Sequence, residues 1–126
     1  ISLSRISVAE CAELGAAIAD IVRKNAQTET ITVIASSDLS HYLSPKETAE
    51  LDGTALAEVL AVNPRALIDV TERKNITMCG VLPTAVLLFA ANGLGVKRAT
   101  LLKHCHSGDV APMRKVVGYA SVAFEL

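Results

Sequence analysis

In Ile31-Thr32-Val33-Ile34-Ala35-Ser36-Ser37-Asp38-Leu39-Ser40-His41-Tyr42, a β-branched apolar run gives way abruptly to hydroxyls, a carboxylate and an imidazole. The first five residues have the composition of a strand buried on both faces of a sheet. The polar residues that follow then lie at the strand's carboxyl end, where ligands sit in open α/β sheets. The stretch predicts a central strand over 31–35 and a candidate site over 36–43.

The flanking segments extend this pattern. Upstream, Leu3 to Val8 alternates apolar and polar residues, which predicts a short strand. From Ala9 the period changes, and Cys11, Leu14 and Ile18 fall on one stripe of a helix ending near Asn25. Strand, helix and strand in that order predict a parallel βα unit. Downstream, Ser44-Pro45-Lys46-Glu47 is a capping box with Pro at the first helical position, opening a helix to about Val62. A shorter helix follows from Asn63-Pro64 to about Arg73, and an apolar one from Val81 to about Ala91, stopped by Asn92-Gly93-Leu94-Gly95. Two last strands are predicted over Ala99–Cys105 and Val116–Phe124. The expected fold is a layered α/β domain, a mixed β-sheet flanked by helices, occupying residues 1–126 as one unit.

Composition narrows the function. The chain has 126 residues, 51% of them apolar, enough to bury a sizeable core and too many for a disordered chain. Twelve Lys+Arg against 13 Asp+Glu leave a net charge of −1, and aromatics are 3% with no Trp. A nucleic-acid module would carry a basic stripe and stacking rings, so that class is set aside. No basic segment followed by an apolar run marks a signal peptide. The apolar run from Val81 is far short of the ~20 residues that span a bilayer, so no membrane association is expected. Three cysteines at no zinc-ribbon spacing argue against a disulfide framework and for a cytoplasmic protein with reduced thiols. The chain opens on Ile1, which marks it as a processed product or a piece of something longer.

Four positions could carry chemistry. Asp38 and His41 form Asp-x-x-His on the strand-end loop, where a carboxylate beside an imidazole makes a general base or half of a metal site. The plainer reading is that Asp38 caps a turn and His41 is only exposed. Cys79 precedes Gly80 at the start of the apolar helix, where free N–H groups favour a thiolate. Its plainer reading is a small residue packed in a tight turn. In His104-Cys105-His106 strand alternation puts both imidazoles on one face, which permits a shared metal or merely solvated side chains. Cys11 lies on the helix stripe and reads as core. Arg114 could meet an anion near the final loop. No Walker loop, Gly-x-Gly-x-x-Gly or Gly-x-Ser-x-Gly is present.

Three stretches carry a resemblance: Ala35-Ser36-Ser37-Asp38-Leu39-Ser40-His41-Tyr42, Met78-Cys79-Gly80-Val81-Leu82-Pro83, and Ser107-Gly108-Asp109 with Val116-Val117-Gly118-Tyr119-Ala120. In order and spacing they resemble the C-terminal half of the Memo family, whose bacterial and archaeal members are called AmmeMemoRadiSam system protein B. That family is similar in fold to the class III extradiol ring-cleaving dioxygenases, which use non-haem Fe(II). The resemblance implies that His41 matches the dioxygenases' acid/base His and that Asp38 is its neighbour in the pocket. It implies that Cys79 stands where they place a metal-binding carboxylate. A thiolate there favours iron or copper over a hard, oxygen-ligated ion. It also breaks the two-His-one-carboxylate triad, a departure from ordinary ring cleavage. The resemblance implies that two further metal-site His belong to the family's N-terminal half, after which this chain is expected to begin. His104 and His106 stand where many relatives have a Tyr and a small residue.

Two functions follow as expectations. One is a metal-dependent, dioxygenase-like redox protein with Asp38 and His41 as catalytic groups and His41 and Cys79 as metal ligands. The other is a non-catalytic partner- or peptide-binding protein with a vestigial pocket. It is suggested by animal Memo proteins that look like phosphotyrosine adaptors, and by bacterial members associated with radical-SAM and AMMECR-type proteins. A half-pocket with an uncovered apolar edge also predicts a homo-oligomer, and a clean monomer in analytical ultracentrifugation would count against it.

Overall fold

The protein is described by a computed structural model covering Leu3, residues 6–96 and residues 98–125. The elements run α1 (Val8–Asn25), β1 (His41–Leu43), α2 (Pro45–Leu60), α3 (Pro64–Arg73), α4 (Val81–Leu94), β2 (Arg98–His106) and β3 (Val116–Glu125), with one 3-10 turn at Ser107–Asp109. Each long helix has a chemical reason for its ends. Ser44 and Glu47 cap α2 reciprocally, and the Ser44 hydroxyl and N–H hold the Glu47 carboxyl below the usual carboxylate range. Ser7 and Glu10 do the same for α1. α4 stops at Gly95, whose φ of +75° is the left-handed conformation that ends helices.

The sheet differs from the expectation. Its order is β1-β3-β2 and both pairings are antiparallel, so the predicted parallel βα unit is not formed among the described residues. Residues 31–35 form no strand, and Ile34 is 82% exposed. The composition suits a doubly buried strand, but composition alone does not make one. A strand also needs a neighbour to accept its hydrogen bonds, and none of the described residues supplies one. The strand predicted over Leu3–Val8 falls partly outside the described residues. Within them, Ser7 is the N-cap of α1 and Val8 its first residue. Asn92 and Gly93, expected in the helix stop, lie inside α4.

The core lies where α2, α3 and α4 meet the sheet. Leu56 and Val59 of α2, Leu67 of α3 and Leu88 of α4 are buried with Leu39 and Met78, and Ala120, Val122 and Phe124 of β3 pack against them. Leu67 and Leu88 are fully enclosed, and each contributes about 2 kcal/mol by burial. α1 packs along α4 through Cys11, Gly15 and Ala19, all buried. This frame brings the loop before β1 and the turn before α4, which are remote in sequence, side by side. No helix of the described residues is long and apolar enough to cross a membrane.

Candidate metal centre

Leu39 donates its N–H to the Gly118 carbonyl, and Gly118 returns its own to the Ser40 carbonyl, both at 2.9 Å. These bonds tie the loop after residue 35 to β3. They place Asp38 just before the anchored peptide and His41 just after it, as the first residue of β1. His41 is then fixed twice by Thr77, whose hydroxyl accepts the His41 backbone N–H at 2.8 Å. The Thr77 carbonyl lies 2.7 Å from His41 Nδ1. A carbonyl oxygen only accepts, so this bond assigns the ring proton to Nδ1 and leaves the Nε2 lone pair free. Nε2 points at the Asp38 carboxylate, 3.5 Å away.

Cys79 closes the cluster from the turn before α4. Its thiol is exposed, not packed as a small core residue, and its Sγ accepts the Asp38 N–H at 3.3 Å. Ser37 braces the turn: its hydroxyl donates to the Asp38 carbonyl at 2.6 Å and accepts the Gly80 N–H at 2.8 Å. Gly80 must be glycine here, because a Cβ would stand 2.6 Å from the Ser36 carbonyl oxygen and 2.5 Å from Ser37 Cβ.

One ligand atom from each of Asp38, His41 and Cys79 lies within 4.8 Å of the others. A four-coordinate ion with bonds of about 2.0–2.3 Å separates its ligand atoms by roughly 3.3–3.8 Å. The donor spacing therefore fits such an ion after small side-chain rotations. The His41 Nδ1–H···O=C bond is also the usual outer support of a ligating histidine, fixing ring and tautomer. One sulfur, one nitrogen and one oxygen suit a soft or borderline ion better than Mg²⁺ or Ca²⁺. Beside the cluster stands Tyr42, with its backbone at φ +59° and its ring 5.9 Å from that of His41. The pairing of β1 with β3 shifts register between His41 and Leu43, and this irregularity turns Tyr42 outward.

The other sequence candidates lie elsewhere. His104 Nε2 donates to Asp52 Oδ2 at 2.9 Å, whereas His106 pairs with Asp109, so the two imidazoles do not share a site. Cys105 is half-buried on β2. Cys11 is core, as its helix stripe implied, and burial pushes its thiol up. Timed iodoacetamide treatment of the native protein should therefore modify Cys79 first, Cys105 next and Cys11 last. Equal rates at Cys11 and Cys79, followed by peptide mass mapping, would contradict this arrangement.

Asp52 escaped the sequence reading altogether. It is 0% exposed on α2 and accepts the Ser40 N–H at 2.9 Å, the Ser40 hydroxyl at 2.5 Å and His104. Its signal was available. Thr48, Asp52, Ala55, Leu56 and Val59 are the buried residues of α2 and share one helical stripe, on which a carboxylate has no reason to lie unless it is partnered.

Comparison with known proteins places the chain in a family. The chain is 38% identical to a MEMO1 family protein of Methanosarcina acetivorans over 114 residues, which is 90% of this chain and 42% of that protein. It is 35% identical to one of Methanopyrus kandleri over 113 residues, 89% of this chain and 39% of the other. With one of Saccharolobus islandicus it shares 36% over 125 residues, 98% of this chain and 43% of the relative. The chain thus spans about two fifths of the length of these relatives. The family described as Memo-like protein matches residues 1–123, nearly the whole chain. With that match, the chain belongs to the Memo-like protein family.

Proposed function

We propose that Asp38, His41 and Cys79 form a redox-metal site for iron or copper, and that the protein acts as a dioxygenase-like metalloprotein. The convergence of three lone-pair donors within 4.8 Å, with the His41 tautomer set by Thr77, is the observation that carries this reading. His41 would bind through Nε2 and Cys79 through Sγ. Asp38 would serve as a third ligand or as the group that accepts a proton beside the ion. A bound iron or copper ion would supply one-electron chemistry and a place for a small ligand. The chain's own part is to hold the donors apart without a metal: Thr77 fixes the ring, Ser37 fixes the turn, and the Asp38 N–H fixes the sulfur. Further ligands in the longer relatives, and association with radical-SAM or AMMECR-type proteins, extend the same proposal.

Elemental analysis after loading with Fe(II) or Cu(I) tests it. The wild-type chain should retain up to one ion, and Cys79→Ala should weaken retention by at least about a hundredfold, as losing a ligand exceeds the tenfold to hundredfold typical of losing an outer support. Equal metal content in both would overturn the assignment. A second reading, a peptide- or partner-binding pocket, is favoured by the outward Tyr42, which is 71% exposed beside His41. Binding of a partner that persists after chelation would select it.

A further inference from the structure

The buried carboxylate behind the cluster is unused by the reading above, although it grips the peptide on which the cluster is built. Asp52 holds Ser40 by both its N–H and its hydroxyl. Ser40 is also fully buried, and its carbonyl accepts the Gly118 N–H. Asp38 and His41 lie on either side of this clamped pair, Leu39-Ser40. A shift of the clamp therefore strains the bonds by which Asp38 meets Cys79 and His41 meets Thr77 on the turn before α4, and so disturbs the spacing of all three candidate ligands. The second oxygen of Asp52 is taken by His104 from β2, so helix α2 and strand β2 both bear on the position of the loop. A carboxylate only accepts, so His104 Nε2 carries the proton in this bond. His104 is also the one member of the group that reaches solvent, with 26% of its side chain exposed.

We propose that Asp52 and His104 are a positioning pair for the Asp38–His41–Cys79 centre. Asp52 sets the Leu39–Ser40 peptide, and His104 orients the Asp52 carboxylate so that Oδ1 faces Ser40. The proposal rests on the metal-site reading for its metal readout and on the fold alone for its second readout. A purely scaffolding carboxylate would affect stability without changing the ring state of His41 in folded protein. A positioning carboxylate changes both the ring and the cluster.

The test uses the full chain with Asp52→Asn, His104→Gln and His104→Ala. Two quantities are read: Co(II) affinity by spectroscopic titration, and the His41 ring ¹⁵N shifts, which report the tautomer held by Thr77. Asn keeps the shape of Asp but turns an amide N–H₂ toward the proton on His104, so its contacts with Ser40 and His104 conflict. Asp52→Asn should fold, weaken Co(II) binding about tenfold, in the range of lost outer supports, and disturb the His41 Nδ1–H signal. His104→Gln, which restores a donor to Asp52, should keep both readouts near wild type, whereas His104→Ala should move both. Folded Asp52→Asn with unchanged affinity and unchanged His41 shifts overturns the proposal. Should Asp52→Asn fail to fold, His104→Ala decides: unchanged shifts overturn it, displaced shifts support it. If the wild-type chain takes up neither Co(II) nor Fe(II) or Cu(I), the metal-site reading fails, and the His41 shifts alone then decide for or against positioning.

Discussion

Replacing Gly118 by alanine should cost roughly 3–5 kcal/mol, a large fraction of the about 5–15 kcal/mol that holds a domain folded. A Cβ at position 118 would overlap Asp52 Oδ2 and stand 2.8 Å from Asp52 Cγ and 3.1 Å from Oδ1. Clashes of this kind are cheap when the obstructing atom ends a flexible exposed side chain. Asp52 is the opposite case, being enclosed and bonded to Ser40 and His104. If the carboxylate rotates away, the Ser40 N–H and the His104 imidazole lose a buried ionic partner, a change that costs about 3–5 kcal/mol. If β3 moves instead, the bonds from Leu39 and Gly118 that anchor the loop are stretched. Overpacking alone costs about 1–3 kcal/mol, so the broken pair dominates. Urea denaturation would measure the loss, and a change below about 1 kcal/mol would contradict the arrangement. A double-mutant cycle with Asp52→Ala sharpens the point. Removing the carboxylate removes the obstacle, so the two losses should be strongly non-additive.

The same residues explain what was legible in the sequence. The capping box at Ser44–Glu47 is a local signal, and α2 begins where it says. An equally local capping signal stands at Ser7 and Glu10, but it is masked by the alternation from Leu3 to Val8, which suggests a strand running through it. Over 31–35 the composition suggests a strand, but pairing depends on a neighbour and is not contained in the segment. β1 has only three residues and owes its existence to β3, so no periodicity could reveal it. Asp-x-x-His was visible as a candidate, and the fold brought Cys79 to it across the chain. The partner of His104 was harder to see, since a single Asp in a helix usually faces water. The isolated Gly118 inside a strand was the counter-signal, as such glycines often mark a close approach.

Exchanging Cys79 for aspartate should change which metal the centre prefers while preserving its capacity to bind. The thiolate is the one soft donor in the cluster, and Asp38 and His41 supply oxygen and nitrogen. With sulfur present, Cu(I) and other thiophilic ions gain over Mn(II), which favours carboxylate and water. With Asp at position 79 the set becomes one nitrogen and two carboxylates, close to the donor character of oxygen-rich Mn(II) and Fe(II) sites. The exposed setting of Cys79 leaves room for the longer side chain, and an Asp oxygen can accept the Asp38 N–H as Sγ does. Cu(I) affinity relative to Mn(II) should therefore fall by on the order of a hundredfold, about 2.7 kcal/mol at 1.36 kcal/mol per decade. Competition titrations with a chromogenic chelator would read the ratio for both proteins. A ratio unchanged by Cys79→Asp would mean that sulfur does not touch the ion, and the cluster would reduce to Asp38 and His41. A variant that binds neither ion would place the requirement on the thiolate itself, in which case Cys79→Ala and Cys79→Asp should behave alike.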